Sequence, residues 1–591
     1  MAKDQWGRDL LLLLAVSLPF IFVGVGSFSF LDPDEGMYGA IAREMAEGGD
    51  WITPHFNGVR YLEKPPLHFW LSALTISLFG PSEWAVRLWS GIPALGTVIL
   101  IWRMGEWLYG RHAGLLAGII FATSVGVFRY VHVAATDFLL VFSLTLSLFG
   151  FIRSLLFGRG GRTDYLLFYF GAALAVLSKG LIGLVFPILM VGLFLCQSRV
   201  DIKLSRMNLK WGLLLFFGLT LPWHLLAGWN NSGFLWFYFA DNQFLRFLNS
   251  RGFIEDDVPV KSISLLVLTL IWFFPWSLFL PVALRQGFPR FRAALPQNEG
   301  LRFLVGIWAL GIMVFFSLSS SKLEHYSLPA IPALSLMVGG RWAEALSPSG
   351  PTIGLKWSLG VGAVLCLLVG LSLVLLSDGL TPEVAFAALA ELNVYYRILQ
   401  EQGLEFPFSA EPFIPLLRWL GLILAVGSPL AYLLFRIKRF WHSFTVFVGI
   451  SAGIAILVFR LDLLVESHHS SKSVAHALLA QFKPGDIIVH EGSLEYSAGL
   501  PFYTQRQIHV LNGKRGDLDF GSRYPEARDL FLDNGKFAAL WEGSPRVFLI
   551  TRPQVRESAL KKLPSEKIFP IGQYDSRWLY TNQRSGIVNS P

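Results

Sequence analysis

Residues 10–31 read LLLLLAVSLPFIFVGVGSFSFL and residues 32–45 read DPDEGMYGAIAREM. The first stretch is apolar throughout and has the length that carries a helix across a bilayer, about 20 residues. The second opens with three carboxylates, Asp32, Asp34 and Glu35, where the chain leaves that run. Lys3 and Arg8 precede the run as they would in a secretory signal, but it is long and has no small-x-small cleavage site, so it reads as a retained anchor. Working outward, comparable runs occupy 84–108, 113–131, 135–157, 165–178, 181–197, 211–229, 263–284, 303–318, 328–343, 353–376, 415–435 and 443–459. The pattern predicts a polytopic α-helical membrane protein with about 13 transmembrane helices.

Composition agrees. Of the 591 residues, 53% are hydrophobic and 15% charged, with 50 Phe and 20 Trp, and the mean hydropathy is +0.52. A soluble surface takes roughly 25% charged residues, so much of this chain must face lipid. Glycine and proline follow no fixed period, which excludes collagen-like classes. The two cysteines, Cys196 and Cys366, sit in apolar runs, so neither a disulfide framework nor a thiolate zinc site is readable.

The connecting loops differ by sign. One set carries Arg159 and Arg162, then Arg199, Lys203, Arg206 and Lys210, then Arg285, Arg290, Arg292 and Arg302, then Arg436, Lys438 and Arg439. By the positive-inside rule that side, with the N-terminus, is cytoplasmic. The other set carries Asp32, Asp34, Glu35, Glu63, Asp137, Asp241 and Glu255 to Asp257 among Trp and Tyr, and is extracytoplasmic. The net charge of +8 is therefore mostly a topological signal, and no nucleic-acid partner is implied. After residue 459 the composition becomes that of a soluble domain. Residues 1–459 are expected to form the membrane domain, and 460–591 a small extracytoplasmic α/β domain with a helix at 472–482 and strands at 486–490, 546–551 and 578–581. No nucleotide-binding or nucleophile-elbow motif assigns chemistry to it.

The loop 32–83 is too long for a simple connection and is where function is to be sought. After the three acids, 37–46 reads as an amphipathic helix. Three close carboxylates near lipid require cations, a metal or a positively charged transition state, whereas a structural role would be helix capping and dipole complementation. Further along, YLEKPPLHFW places Lys64 at membrane level beside Glu63, where it either snorkels to a headgroup or binds a lipid-linked phosphate. The turns at 132–137, at Lys179 and at 319–326, and the segment 236–246, add Asp137, Lys322, Tyr326 and Arg246 on the same side. With the spans nearly free of charge, this one-sided gathering weighs against a transporter, whose ionisable groups should meet near mid-membrane. Glu63, His55 and His68 have metal-ligand chemistry or are hydrogen-bonded surface groups; both readings stay open, so a divalent metal is left as an alternative and no other cofactor is implied.

DPDEGMYGAIAREM, YLEKPPLHFW, the Thr136-Asp137 turn, LSKGLIG, NQFLRF and SKLEHYSLPA, in this order, resemble the multispanning GT-C glycosyltransferases, most closely the branch of the bacterial 4-amino-4-deoxy-L-arabinose lipid A transferase, related to the protein O-mannosyltransferases. The similarity is strong over about 10–345. It implies an inner-membrane enzyme, monomeric, that moves a sugar from a polyprenyl monophosphate to an acceptor on the periplasmic side, with lipid A phosphate leading, protein or another glycan as the alternative, and a lipid-linked sugar transporter as the alternative of another class. By motif position it implies Asp34 and Asp137 as catalytic; Lys64, Arg246, Tyr61 and Tyr326 around the donor phosphate; and Glu63 as the residue associated with a metal. Asp32 joins the catalytic candidates as a member of the acid cluster, and a lipid phosphate acceptor would need its own cation, for which Lys322 or Arg43 is available. Met37 stands where many relatives have Arg, and Asp241-Asn242 replaces the usual Glu-His. Two cations suit a departing phosphate, a carboxylate stabilises the oxocarbenium-like sugar, and a single displacement inverts the anomeric centre.

Overall fold

A computed structural model describes residues 2–157, 162–198, 207–248, 262–287, 297–319, 322–347, 353–392, 394–401, 403–552 and 558–584. The loop residues Arg159, Arg199, Lys203, Arg206, Glu255 to Asp257, Arg290 and Arg292 lie outside these, as do the side chains of Arg162 and Arg246.

The predicted apolar runs are helical over most of their lengths, though the first leaves helix after Phe22 and 23–31 form turns and extended chain. The first helices are α1 (Ala2–Phe22), α2 (Asp34–Gly48), α3 (Leu67–Phe79), α4 (Glu83–Tyr109), α5 (Arg111–Ala122), α6 (Val125–Val131), α7 (Asp137–Phe157), α8 (Arg162–Lys179), α9 (Ile182–Ser198) and α10 (Leu209–Asn230). A π-helical turn, Trp236–Leu245, leads into α11 (Arg246–Leu248), then α12 (Ser262–Trp272), α13 (Leu280–Gly287), α14 (Gln297–Leu318) and α15 (Ile331–Leu346). After these come α16 (Ile353–Leu376), α17 (Pro382–Leu392), α18 (Val394–Glu401), α19 (Ile414–Arg436) and α20 (Phe440–His469). Among the described residues eight helices are long and apolar enough to cross a membrane alone, and up to ten if each of two bent pairs is one span. The bends are 55° between α5 and α6 and 109° after α12, where Pro275 interrupts the chain. Outward-facing Leu214, Leu225, Leu365 and Trp229 are exposed, as lipid contact requires.

The last apolar helix does not end near 459. It runs ten residues further, to His469, because its polar residues find partners elsewhere in the membrane domain: Asp462 lies 3.6 Å from Arg129 of α6, and Glu466 accepts from the amide of Ser29, in the segment between α1 and α2, at 2.8 Å. Beyond it, α21 (Lys472–Leu479), α22 (Gly499–Thr504) and α23 (Asn534–Glu542) accompany a six-stranded sheet. A small hairpin in the first loop supplies β1 (His55–Phe56) and β2 (Val59–Arg60); the sheet consists of β3 (Ile487–Glu491), β4 (His509–Leu511), β5 (Phe531–Leu532), β6 (Val547–Thr551), β7 (Phe569–Tyr574) and β8 (Arg577–Thr581), in the order β5-β4-β3-β6-β8-β7. The first four are parallel, with Val489 opposite His509 and Leu549, while β8 and β7 run antiparallel. The central strands IIVHE and VFLIT are almost fully buried, as a parallel sheet covered on both faces demands.

One of those faces is covered by the first loop. Ile488, Val510, Phe548 and Ile550 share a single core with Met37, Ile41, Phe69 and Ala73 of α2 and α3. Polar clamps fix the seam: Asn57 exchanges two hydrogen bonds with the backbone of Ile508, at 2.7 and 2.8 Å, and Arg43 donates to the Pro501 carbonyl at 3.2 Å. Gly36 is needed here, since a Cβ on it would meet the Gly499 amide nitrogen at 2.3 Å. The sheet thus holds the carboxylate-bearing helix α2 in place.

Candidate active site

The helix α2 begins at Asp34, three residues earlier than its apolar periodicity predicts, with Asp34 and Glu35 in the first turn, where carboxylates complement the helix dipole, and Gly49 closing it in the left-handed conformation, φ +72°. Glu35 is a structural residue. It is 1% exposed and takes a bidentate pair from Arg87 of α4, at 2.8 and 2.9 Å. It also accepts from the amides of Leu31 and Ala134, at 3.0 and 2.7 Å. Arg87 spends its other donors on the carbonyls of Val25, Phe28 and Ser29. This buried pair locks α2, α4 and the turn before α7 together, and so sets the position of Asp34 against Asp137.

At that position Asp34, Asp137, Lys64 and Lys179 act on one another electrostatically. Asp34 makes no hydrogen bond or ion pair of its own among the described residues, and it lines a cavity of about 400 Å³ with Tyr130, Trp272 and His325. Burial pushes its carboxyl above the ordinary aspartate range; the Asp137 charge pushes the same way, and Lys64 pulls it back. Asp137, the first residue of α7, is buried and accepts from Lys179 Nζ at 2.5 Å. Its Oδ1 also stands 3.8 Å from His325 Nε2.

A second, smaller cavity of about 110 Å³ is lined by Glu63, Lys64, Lys179, Gln243, Ser319 and Tyr326 among others. Asp137 therefore touches one residue of each cavity, Lys179 of the smaller and His325 of the larger. Lys64 lies 3.3 Å from the buried carboxylate of Glu63, and Lys179 stands 5.3 Å over the ring of Tyr326. Gln243 accepts from the Leu181 amide at 2.9 Å; Gly180, at φ +82°, lets it approach, for a Cβ there would lie 2.3 Å from the Gln243 amide nitrogen. The smaller cavity is thus a pocket with two lysines, and the larger is an acidic and aromatic one.

Other predicted residues fall elsewhere. Both oxygens of Asp32 are engaged at the edge of the large cavity, one by the Gly499 amide at 2.7 Å and one by Arg577 at 3.0 Å. Burial raises its carboxyl to about 6 despite that cation. It anchors the sheet domain, so a direct catalytic part does not suit it. Arg43 lines neither cavity: it is buried, pairs with Glu47 at 2.5 Å and holds Pro501, so its charge is spent where an acceptor phosphate would need it. Lys322 donates to the Ser319 carbonyl at 2.5 Å, at the rim of the smaller cavity rather than in the larger one. Tyr61 is fully buried against Phe69, its hydroxyl 3.5 Å from Glu63. Arg246 starts the short helix after Gln243. Lys179 and His325 were not assigned a role from the sequence, although LSKGLIG and SKLEHYSLPA contain them.

The described residues do not fit a metal. Among those described, no three His, Cys, Asp or Glu side chains converge in a way that could hold one. Glu63 faces Lys64 and Tyr61, His68 is sealed between Tyr38 and Phe69, and Asn242 donates its amide to the Glu63 carbonyl at 2.7 Å.

Residues 63–225 match the dolichyl-phosphate-mannose-protein mannosyltransferase family. An undecaprenyl phosphate-alpha-4-amino-4-deoxy-L-arabinose arabinosyl transferase of Edwardsiella ictaluri is 26% identical over 528 residues, 86% of each chain. An uncharacterized protein of Aquifex aeolicus is 32% identical over 333 residues, 56% of this chain and 73% of that one. The crystal structure of ArnT from Cupriavidus metallidurans bound to undecaprenyl phosphate superimposes with a TM-score of 0.80 over 98% of both chains, at 24% identity. The fold is GT-C. The chain belongs to the arabinosyl transferase and protein O-mannosyltransferase-like family of GT-C membrane glycosyltransferases.

Proposed function

We propose that this protein is an inner-membrane glycosyltransferase that moves a sugar, 4-amino-4-deoxy-L-arabinose or a close relative, from undecaprenyl monophosphate to a phosphate of lipid A at the extracytoplasmic face, with inversion. The observation that carries the reading is Asp137 contacting one lining residue of each cavity, Lys179 of the two-lysine pocket and His325 of the larger cavity that Asp34 lines. The names of the relatives supply the donor class. Loop charge supports an inside N-terminus and an outside sheet domain.

In this mechanism the donor phosphate sits in the smaller cavity, where Lys64 and Lys179, joined by Arg246 on the strength of the motif, neutralise it as it departs by charge-assisted hydrogen bonds. The C–O bond to the anomeric carbon breaks and positive charge develops on the sugar. Asp34, with no hydrogen-bond or ion-pair partner among the described residues, stabilises that charge; preorganised electrostatics of this kind is worth roughly 10²–10³ in rate per group. An acceptor phosphate oxygen is already anionic and attacks from the large cavity without a base, so positioning is what it needs. Asp137 holds Lys179 at the departing phosphate.

Mass spectrometry of lipid A from cells with and without the protein tests this. A protein-dependent increment of one aminopentose supports it; an unchanged lipid A with a newly glycosylated protein or glycan moves the acceptor, and movement of intact lipid-linked sugar without bond cleavage overturns the reading.

A further inference from the structure

The π-helical turn Trp236–Leu245 begins against the sheet domain and ends in the wall of the smaller cavity. Helices of this kind are rare, mostly single-turn bulges at functional sites. This one runs for ten residues, so its register has to be held from outside. At its far end the holding contacts belong to the two-lysine pocket: Asn242 donates to the Glu63 carbonyl at 2.7 Å, and Gln243 accepts from the Leu181 amide at 2.9 Å. Both residues line that pocket with Lys64 and Lys179. In the middle, Tyr238 is fully buried against Trp223 and Phe234, and Phe239 stacks on His224 of α10 at 5.4 Å.

The near end is held by the sheet domain. Phe520, in the segment between β4 and β5, lies flat on Phe237, with ring centres 4.2 Å apart and planes 9° from parallel. Polar contacts close the seam around that pair. The Tyr524 hydroxyl donates to the Ser232 carbonyl at 2.7 Å. Arg60 of β2 donates to the Asn230 carbonyl at 3.1 Å and to the Asn231 side chain at 2.8 Å, pairs with Glu526 and covers the Tyr524 ring at 4.1 Å. The approach is tight, for a Cβ on Gly521 would stand 1.9 Å from the Arg60 carbonyl oxygen. Phe520 and Phe237 also share one apolar cluster with Leu62, the residue before Glu63, so the stacked pair backs the segment that carries Lys64.

Resting on the placement of the donor phosphate in the smaller cavity, we infer that Phe520 is a positioning residue for donor binding. Through Phe237 it fixes the register of the π-helical turn, and so aims Asn242 and Gln243, with the chain leading to Arg246, at the phosphate. The sheet domain is then part of the donor site although no described residue of it lines the smaller cavity. Losing an aromatic pair of this kind corresponds to roughly 10-fold in a binding constant.

The test measures undecaprenyl phosphate binding and the melting temperature of the full-length protein in lipid nanodiscs. Phe520→Ala should weaken binding by about 10-fold, and Phe520→Tyr, which keeps the stacked ring, should restore it. Phe237→Leu cuts the same pair from the membrane side, so it should weaken binding by a like amount, and combining it with Phe520→Ala should add little. Asn57→Ala, which loosens the sheet domain at Ile508 instead, should lower the melting temperature and leave binding unchanged. In turnover, the loss in Phe520→Ala should fall on the donor KM, with kcat kept. Unchanged binding in Phe520→Ala and Phe237→Leu, or binding weakened as much by Asn57→Ala, overturns the positioning role while leaving the donor reading standing. Failure of wild type to bind undecaprenyl phosphate overturns the donor reading itself, and this inference with it.

Discussion

Lys179 Nζ lies 2.5 Å from Asp137 Oδ1, joining the last residue of α8 to the first of α7. The pair is partly desolvated, and it places a cation of the smaller cavity against an anion of the catalytic centre. Because each side chain compensates the other, removing either leaves a buried charge exposed to its neighbours. Asp137→Asn and Lys179→Met should each reduce kcat/KM by 10²-fold or more, at about the cost of one preorganised charge. The double variant should lose far less than the product of the two, with a coupling of about 1–3 kcal/mol in a double-mutant cycle.

Lys64 should govern the acid limb of activity. Asp34 stabilises positive charge only when ionised, and burial with Asp137 holds its carboxyl above the ordinary range while Lys64 lowers it. Activity should therefore fall as the pH drops through that raised value. Lys64→Met should move the limb to higher pH, since the lowering influence is gone, and should raise the donor KM by about 10-fold or more through the lost charge-assisted contact. A pH profile of kcat/KM checks both.

Arg87 and Glu35 should matter for stability before chemistry. Both are essentially unexposed, and breaking a buried pair from one side costs about 3–5 kcal/mol. Arg87→Met should lower the melting temperature of the purified protein sharply, and Arg87→Met with Glu35→Gln should recover part of the loss.

Asp32 separates anchoring from catalysis. Asp32→Asn keeps an oxygen for the Gly499 amide but leaves Arg577 without its anion. It should lower the melting temperature while keeping kcat within about 10-fold of wild type, well short of the 10²–10³ lost with a preorganised catalytic charge.

Much of this arrangement was legible in the sequence because its signals are local. Apolar runs of bilayer length marked the helices, and Asp34, Lys64, Asp137 and Tyr326 each stand in a motif at the mouth of a span. What was not legible depends on partners distant in the chain. Asp32 looks like Asp34 until Arg577, 545 residues later, is found against it. The end of α20 reads as soluble until Asp462 is seen beside Arg129. Arg43 is a free cation in the sequence and a clamp on Pro501 in the fold. Lys179 gave a usable signal, a cation directly after an apolar run, but its pairing with Asp137 needed the packing of α7 on α8.

The most direct test of the account is the release of undecaprenyl phosphate from an undecaprenyl phosphate–aminoarabinose donor by purified protein supplied with lipid A, comparing wild type with Asp34→Asn. The account predicts release matched by glycosylated lipid A in wild type. In the variant it predicts a rate lower by about 10²–10³ with undecaprenyl phosphate binding intact. Equal rates in the two proteins would contradict it.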